Sequence, residues 1–382
     1  HLIEEELAQN PFEEAVRLAL KKVSGTYGLV ILCAKEPDKL IAARNFSPLL
    51  LGVGDKGEFF VASDASAVVK HTRRAVYLDD GEMAVLTGQG YRVYDLGRNA
   101  RSKPLSEIEW SYEEAQKGGY PHFMLKEIFE GPEAVENSIR GRLLTEEGLA
   151  KLGGLESEES ALRGINRFII TACGTARFAG LFGEYAIEEY GGLPVEVEYG
   201  SELRYRKAVL SHDTALLAIS QSGETADTIA AIREAKIKGL LTLGIVNVVG
   251  SSIARETNAG IYTHAGPEIA VASTKAFVAQ MAALVLLTLY LGRKRNMSLI
   301  TGRRIAQELQ LIPRLMRNVL GLNDAIKNLA RKYAHCANFL FLGRKYNLPI
   351  ALEGDIKLKE ISYVHSEGYP AGEMKHGPIA MI

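Results

Sequence analysis

Residues 214–238 read TALLAISQSGETADTIAAIREAKIK. Thr214 to Ile219 is an uncharged, mostly apolar run, the pattern of a strand covered on both faces. Ser220-Gln221-Ser222-Gly223-Glu224-Thr225 interrupts it with turn-forming residues, and Glu224 to Lys238 continues as a predicted helix. The same alternation extends on both sides. Upstream, Arg167 to Ala172 reads as a short apolar strand followed by Gly174. Phe178 to Tyr190 reads as a helix and Pro194 to Glu198 as a strand; downstream, Leu240 to Val246 is another strand. Strands alternating with helices imply a parallel sheet with helices on both faces.

An internal repeat extends this architecture. Phe168-Ile169-Ile170 precedes a Gly-containing turn, and Phe339-Leu340-Phe341 does the same 171 positions later. At the same offset Glu189 falls on Glu360, and Glu202 on Glu373. The shared spacing predicts two tandem α/β units, beginning near 160 and near 330 and joined by a helical stretch from Thr301 to Tyr333. The counterpart of Ser220 would fall near position 391, beyond Ile382, so the second unit is expected to be incomplete.

The first hundred residues have a different texture. Phe12 to Lys22 is helical. Tyr27 to Ala34, Lys39 to Arg44, Leu49 to Val53, Glu58 to Ala62, Glu82 to Thr87 and Tyr91 to Tyr94 read as strands of an α+β domain, punctuated by Gly, Asp and Asn. Residues from 98 to about 120 are polar and weakly patterned, and Pro121 to Leu144 is predicted helical. The expected divisions are 1–97, a linker 98–158, a first α/β domain 159–298, a helical connection 299–329, and 330–382 as the N-terminal part of a second. The chain opens on His1 without a methionine, so residues upstream are expected to be missing.

Bulk properties exclude several classes. The formal net charge is −1, which provides no field for nucleic acid or anionic membrane. Cys33, Cys173 and Cys336 are far apart, with no CxxC pair; no disulfide framework, zinc site or cofactor is expected, and a reducing cytoplasm fits. The most apolar stretch, Val271 to Gly292, is interrupted by Ser273, Thr274, Lys275 and Gln280, and reads as a buried helix rather than a membrane span.

The Ser220–Thr225 loop lies where an α/β sheet usually binds its ligand. Free backbone N–H groups and the helix dipole favour an anion there. Ser220, Ser222 and Thr225 add hydroxyl donors, Gly223 lets the backbone come close, and no Lys or Arg is present. A phosphomonoester held by neutral donors is the expected ligand. The alternative, a Ser/Thr-rich helix cap, needs fewer hydroxyls. Two further stretches are candidates to close the pocket: Ala172-Cys173-Gly174-Thr175, and Val271-Ala272-Ser273-Thr274-Lys275, where Ser273 taken alone reads as a cap. Cys173 reads as a small buried residue, since no partner base is near in sequence.

A third constellation is Lys357-Leu358-Lys359-Glu360 with His376 sixteen residues after Glu360. Lys357 and Glu360 share a helix face. An aldose–ketose shift needs a base to move a proton between adjacent carbons, which a carboxylate supplies. It also needs an acid/base to open the sugar ring, in the range where histidine titrates. An exposed Lys–Glu pair worth ~0.3 kcal/mol with a surface histidine explains the same residues equally well. Glu353 and His365 compete for these roles.

With these motifs quoted, a family resemblance is visible. Ser220 to Thr225 looks like the phosphate loop of SIS (sugar isomerase) domains. Ala351-Leu352-Glu353-Gly354 through Pro378 resembles the active-site helix and loop of the glutamine–fructose-6-phosphate aminotransferase (isomerizing) family. So do Ala172 to Thr175, Glu202 to Lys207, Val271 to Phe277, and His122 to Ile128. The resemblance implies an α/β chain of tandem SIS-type doubly wound parallel-sheet domains, the second incomplete, preceded by part of an α+β glutaminase domain. That domain would be of the N-terminal nucleophile hydrolase type, represented by residues 1–97. It implies synthesis of glucosamine 6-phosphate and glutamate from fructose 6-phosphate and glutamine. Ser220, Gln221, Ser222 and Thr225 would hold the phosphate, and Thr175 and Ser273 would line the sugar site. Glu360 would move the proton between C1 and C2, Lys357 would assist, and His376 would open the ring from the neighbouring subunit of a homodimer. Two departures stand out: Ala176 follows Thr175 where serine is frequent, and Asp355 replaces a small residue. The glutaminase's nucleophilic cysteine is expected before residue 1; Cys33, read as lying inside a strand, is not it. A lysine that handles the open sugar is expected after residue 382. Two other functions fit part of the pattern. A plain SIS isomerase or deaminase has no use for residues 1–97, and a phosphosugar sensor needs no Lys357, Glu360 or His376.

Overall fold

A computed structural model of the chain describes residues 1–108 and 116–381. The chain forms two compact units, His1–Gly118 and Gly119–Ile382.

In the first unit, helices α1 (Leu2–Leu7) and α2 (Phe12–Lys22) precede strands β1 (Tyr27–Leu32), β2 (Lys39–Asn45), β3 (Leu50–Val53), β4 (Phe59–Ala62), β5 (Arg74–Tyr77), β6 (Glu82–Thr87), β7 (Gly90–Asp95) and β8 (Ser106–Glu107). They make two antiparallel sheets, ordered β1-β2-β6-β7 and β4-β3-β5-β8. Phe12, Val16 and Leu20, four apart, form one buried stripe of α2 packed on Ile41, Ala43, Met83 and Val85; this is the helical period meeting the alternate residues of two strands. Strand β5 was not predicted. Cys33 lies just past the end of β1, in a turn where its carbonyl accepts from the Glu36 N–H, and not inside the strand.

The second unit begins with α3 (Phe123–Ile139), shorter than the predicted 121–144. A small hairpin, β9 (Leu143–Leu144) and β10 (Leu149–Ala150), and α4 (Glu159–Arg163) follow. Of the expected linker 98–158, β8 thus belongs to a sheet of the first unit and α3 packs in the second, while residues 109–115 lie outside the described residues.

The main sheet comprises β11 (Arg167–Ala172), β12 (Val195–Tyr199), β13 (Thr214–Ser220), β14 (Leu241–Val246) and β15 (Ala259–Tyr262). All pairings are parallel, in the order β12-β11-β13-β14-β15. Every residue of β13 is buried, as its uncharged run requires. Helices α5 (Gly174–Ala186), α6 (Gly200–Tyr205), α7 (Ala226–Ile237), α8 (Ser252–Glu256) and α9 (Lys275–Arg293) complete the domain. Helix α5 starts four residues before the expected Phe178, which places Thr175 and Ala176 in its first turn, and it ends in a π-helical turn, Ile187–Gly191. Helix α7 starts two residues later than expected, leaving Glu224 in the loop. Helix α9 is the one described helix long and apolar enough to cross a membrane, and 83% of its apolar window is buried in the fold.

Helices α10 (Leu299–Leu320) and α11 (Asn323–Tyr333) lead to a second strand–helix–strand: β16 (Asn338–Gly343), α12 (Asn347–Ser362) and β17 (His365–Pro370). The two strands pair in parallel, with Phe339 opposite Ser366.

Candidate functional site

Three chain segments meet at the C-terminal edge of the main sheet around a cavity of about 200 Å³. The first is the loop from β13 to α7. Gly223 adopts φ +68°, and a Cβ there would lie 2.0 Å from Ser251 Oγ; only glycine fits both the left-handed backbone and the close approach. Ser220 Oγ accepts from the Gly223 N–H at 3.0 Å and lies 3.1 Å from Thr225 Oγ1. Ser222 Oγ accepts from the Glu224 N–H at 3.2 Å. The Glu224 carboxylate turns away and accepts from the Ser252 N–H and hydroxyl, each at 2.8 Å. Its charge anchors the loop and leaves the lining neutral.

The second segment is the start of α5, with Cys173, Thr175 and Ala176. Cys173 Sγ is 3.8 Å from Thr228 Oγ1. The third is the start of α9, with Ser273 and Gln280. Ser273 does not cap this helix. Glu268 does: its Oε1 accepts from the Thr274 and Ala276 N–H groups at 2.7 and 3.1 Å, while Oε2 accepts from the Ser273 hydroxyl at 2.7 Å. A second carboxylate, that of buried Glu127 on α3, accepts from the Ile269 and Ala270 N–H groups at 2.6 and 3.0 Å. Burial foremost pushes the Glu127 carboxyl up, against these two hydrogen bonds. Two carboxylates therefore shape the loop that presents Ser273. Neither was foreseen, because one partner lies 142 positions away and the other reads as an ordinary surface glutamate.

Thr175, Ser220, Gln221, Ser222, Thr225 and Ser273 all line this one cavity, and among the described residues no Lys or Arg lines it. Helix α12 lies behind this wall and touches it at Thr175 through Lys357. The Lys357 ammonium donates to Thr175 Oγ1 at 3.0 Å and to Glu360 Oε2 at 3.0 Å, and lies 3.4 Å from Glu353 Oε1. Thr175 Oγ1 in turn donates to Glu353 Oε1 at 3.2 Å. Residues 353, 357 and 360 share the face of α12 turned to α5. Glu353 is 7% exposed, and burial raises its carboxyl from 4.5 to about 7, against the opposing effects of Lys357 and Thr175. A buried carboxyl raised toward neutrality beside an ammonium is a candidate for proton transfer. The spacing alone left Glu353 as a competitor; its burial singles it out as a further member of the cluster.

His376 follows the 3₁₀ turn Ala371–Lys375. It is exposed, and its ring makes no hydrogen bond or ion pair among the described residues. The fold of one chain therefore does not join it to Lys357 and Glu360 by any such contact. His365 opens β17, 61% exposed, with Nε2 3.9 Å from Glu367. The unusual Asp355 is buried, with Oδ1 accepting from the Ser366 hydroxyl at 2.7 Å and Oδ2 from Lys359 at 2.9 Å. An acid is thus accommodated where a small residue was expected, because β17 supplies a hydroxyl opposite it. Among the described residues no group of His, Cys, Asp and Glu is arranged to hold a metal ion.

Comparison with known proteins extends this geometry. The SIS domain family matches residues 161–290 and 332–382. A glutamine–fructose-6-phosphate aminotransferase (isomerizing) of Chlorobaculum tepidum is 53% identical over 370 residues, 97% of this chain and 60% of that protein. Its counterpart in Thermus thermophilus is 46% identical over 384 residues, the whole of this chain and 62% of that protein. This chain thus spans about three-fifths of the curated relatives it matches. Among solved structures, the C-terminal domain of glucosamine-fructose-6-phosphate aminotransferase from Francisella tularensis is 41% identical, with a TM-score of 0.67 over 70% of this chain and 74% of that one.

Proposed function

Since this chain belongs to the glutamine–fructose-6-phosphate aminotransferase (isomerizing) family, we propose that it carries the sugar-isomerising part of a glucosamine-6-phosphate synthase. Fructose 6-phosphate and glutamine-derived ammonia would be converted to glucosamine 6-phosphate, with glutamate as the other product. The observation that carries the proposal is the Lys357 ammonium, 3.0 Å both from Thr175 in the cavity wall and from Glu360. It sets a carboxylate base beside a pocket furnished with neutral phosphate donors.

In this reading Ser220, Gln221, Ser222 and Thr225 bind the phosphate from the end of β13 and the N-terminus of α7. Thr175 and Ser273 face the sugar. Glu360 takes the proton from one of the two adjacent carbons and returns it to the other, so the carboxylate is restored at the end of the cycle. Lys357 holds Glu360 in place and offsets charge on the sugar oxygen. His376 opens the ring from the second subunit of a homodimer, which accords with its exposed position on a single chain. Residues 1–97 are the later part of a glutaminase domain that delivers the ammonia. The three free thiols accord with a cytoplasmic protein.

The test follows the proton. Fructose 6-phosphate deuterated at C1 is incubated with the full chain, and loss of the label from C1, whether to C2 or to solvent, is followed by NMR. Glu360→Gln is expected to slow the loss by about 10²–10⁴-fold, the usual contribution of a general base, with sugar-phosphate affinity within about twofold. Equal loss in wild type and variant would remove Glu360 from the mechanism; absence of loss in the wild type would remove the reaction itself.

A further inference from the structure

Helices α5, α7 and α9 all begin at the cavity wall, and each brings the positive end of its dipole there. Their starts are furnished differently. No side chain caps α5 or α7. Among the described residues the N–H groups of Ala226, Asp227 and Thr228 meet no protein acceptor. The carboxylates beside α7 are engaged elsewhere, Glu224 with Ser252 and Asp227 with Arg204 at 3.4 Å.

At α9 the corresponding donors are taken. Glu268 Oε1 accepts from the Thr274 and Ala276 N–H groups, and Oε2 from the Ser273 hydroxyl. Among the described residues Glu268 makes no ion pair. The ammoniums of Lys126 on α3 and Lys275 on α9 both go to Glu130, at 3.1 and 2.7 Å. The charge of Glu268 is therefore matched by the dipole of α9 and not by a cation. It lies one hydrogen bond behind Ser273, which lines the cavity. A charge so placed acts through space and needs no contact with a ligand. An anion on this side would meet occupied N–H groups and a like charge, whereas a hydroxyl or an ammonium would not be opposed.

Building on the sugar-phosphate reading above, we propose that Glu268 is a specificity-determining residue that closes the start of α9 to anions. It directs the phosphate to α7 and leaves the α9 side for the uncharged or cationic end of the ligand. It thereby ranks sugar phosphates by the charge on their carbon chain. The amino sugar phosphate that the reading gives as product carries an ammonium, which this side favours.

The test uses three ligands that share a phosphate on a six-carbon chain. Glucosamine 6-phosphate adds an ammonium, glucose 6-phosphate adds only hydroxyls, and 6-phosphogluconate adds a carboxylate. Binding to the full chain is measured by calorimetry for wild type and Glu268→Gln, and each protein is melted without ligand. The glutamine carbonyl can still accept from Thr274 and Ala276, so the variant removes the charge and keeps the cap. Wild type is expected to bind the ammonium sugar most tightly and the carboxylate sugar least. In Glu268→Gln each of the two affinity ratios should shrink about fivefold. A residue that only holds the loop would, when changed, weaken all three ligands alike and lower Tm, with the ratios unchanged. Unchanged ratios therefore overturn the assignment. Should the variant fail to fold, the wild-type order decides: 6-phosphogluconate bound as tightly as glucose 6-phosphate overturns it as well. A wild type that binds none of the three removes the sugar-phosphate reading, and this inference with it. One that binds all three in level or reverse order removes this inference alone.

Discussion

The Ser220–Thr225 loop, which lines the cavity, and the inner face of α12, which touches its wall at Thr175, hold their shapes by opposite physical means. The loop keeps its shape with serine and threonine hydroxyls bonded to nearby N–H groups, around a glycine with φ +68°. Its one carboxylate, Glu224, is turned to Ser252. The α12 face keeps its shape with charge: an ammonium within 3.4 Å of two carboxylates, one of them buried enough to titrate near 7. Neutral donors give a binding surface that holds the same charge across pH and costs little to desolvate. A charged, partly buried cluster gives groups that change protonation state under working conditions. The contrast predicts that perturbing the loop changes affinity, whereas perturbing α12 changes rate and pH dependence.

The strongest break of that contrast concerns where each half comes from. The loop is complete within one chain; the α12 cluster, in the proposed mechanism, is completed by His376 of a second copy. Glu360→Gln and His376→Ala full-length enzymes are each expected to be inactive. When they are mixed under subunit exchange, one site of a mixed dimer collects both lesions and the other receives an intact residue from each chain. Activity should return to at most roughly half of wild type per mixed dimer, since a symmetric dimer builds two equivalent sites. A mixture that stays inactive, with exchange verified by mass spectrometry, would place both residues in the same subunit.

Glu353 sharpens the comparison through pH. Its carboxyl ionises near 4.5 in an unfolded chain and near 7 when folded. Between those values the folded chain holds a proton that the unfolded chain has released, so stability falls as pH rises through the window. The linkage amounts to about 3 kcal/mol. Glu353→Gln removes it. In urea titrations the variant's stability relative to wild type should therefore increase by about 3 kcal/mol between pH 4 and pH 8. Parallel pH curves would show that the carboxyl is not held in a poorly solvated site.

Ser222→Ala tests the neutral half. Ser222 Oγ accepts from the Glu224 N–H, which leaves its own proton for a ligand. Fructose 6-phosphate binding should weaken by about 1–2 kcal/mol, the usual range for a hydrogen bond to a charged group, with little change in kcat. Calorimetry giving equal affinities would mean that the backbone N–H groups bind the phosphate without it.

These two halves were unequally legible in the sequence. Ser220 to Thr225 follows a buried strand and opens a helix, so its position at the sheet edge follows from local pattern alone. Thr175 and Ser273, predicted to face the sugar, lie at similar strand–helix junctions, and all six predicted binding residues line the cavity. On α12 the i, i+3 spacing of Lys357 and Glu360 was readable, but their environment was not. What distinguishes Glu353 from any helical glutamate is burial against Thr175, 178 positions away. The Glu268 cap of α9 is invisible for the same reason: in sequence Ser273 occupies the place of a helix cap, and only the folded loop shows a carboxylate in that role.

The smallest expected effect lies where the two halves are held together. Tyr346, just before α12, donates its hydroxyl to Glu189 Oε2 at 3.0 Å, and its ring packs 5.6 Å from Phe182 and 5.7 Å from Tyr185, both on α5. Burial, with Glu189 second, pushes the phenol well above its ordinary range, so the hydroxyl remains a donor at any working pH. Lys345 also reaches Glu189, at 2.6 Å, so the carboxylate keeps a partner if the hydroxyl is lost. Tyr346→Phe deletes one hydrogen bond and keeps the ring, and should lower stability by only about 0.5–1.5 kcal/mol, with kcat unchanged. The aromatic contact, which is insensitive to pH and salt, would then be what keeps α12 seated on α5 and Lys357 within reach of Thr175. A Tyr346→Phe enzyme that keeps its Tm but loses more than about tenfold in kcat, a barrier change of about 1.4 kcal/mol, would contradict this. It would mean that the Glu189 hydrogen bond sets the alignment of the charged face with the neutral loop.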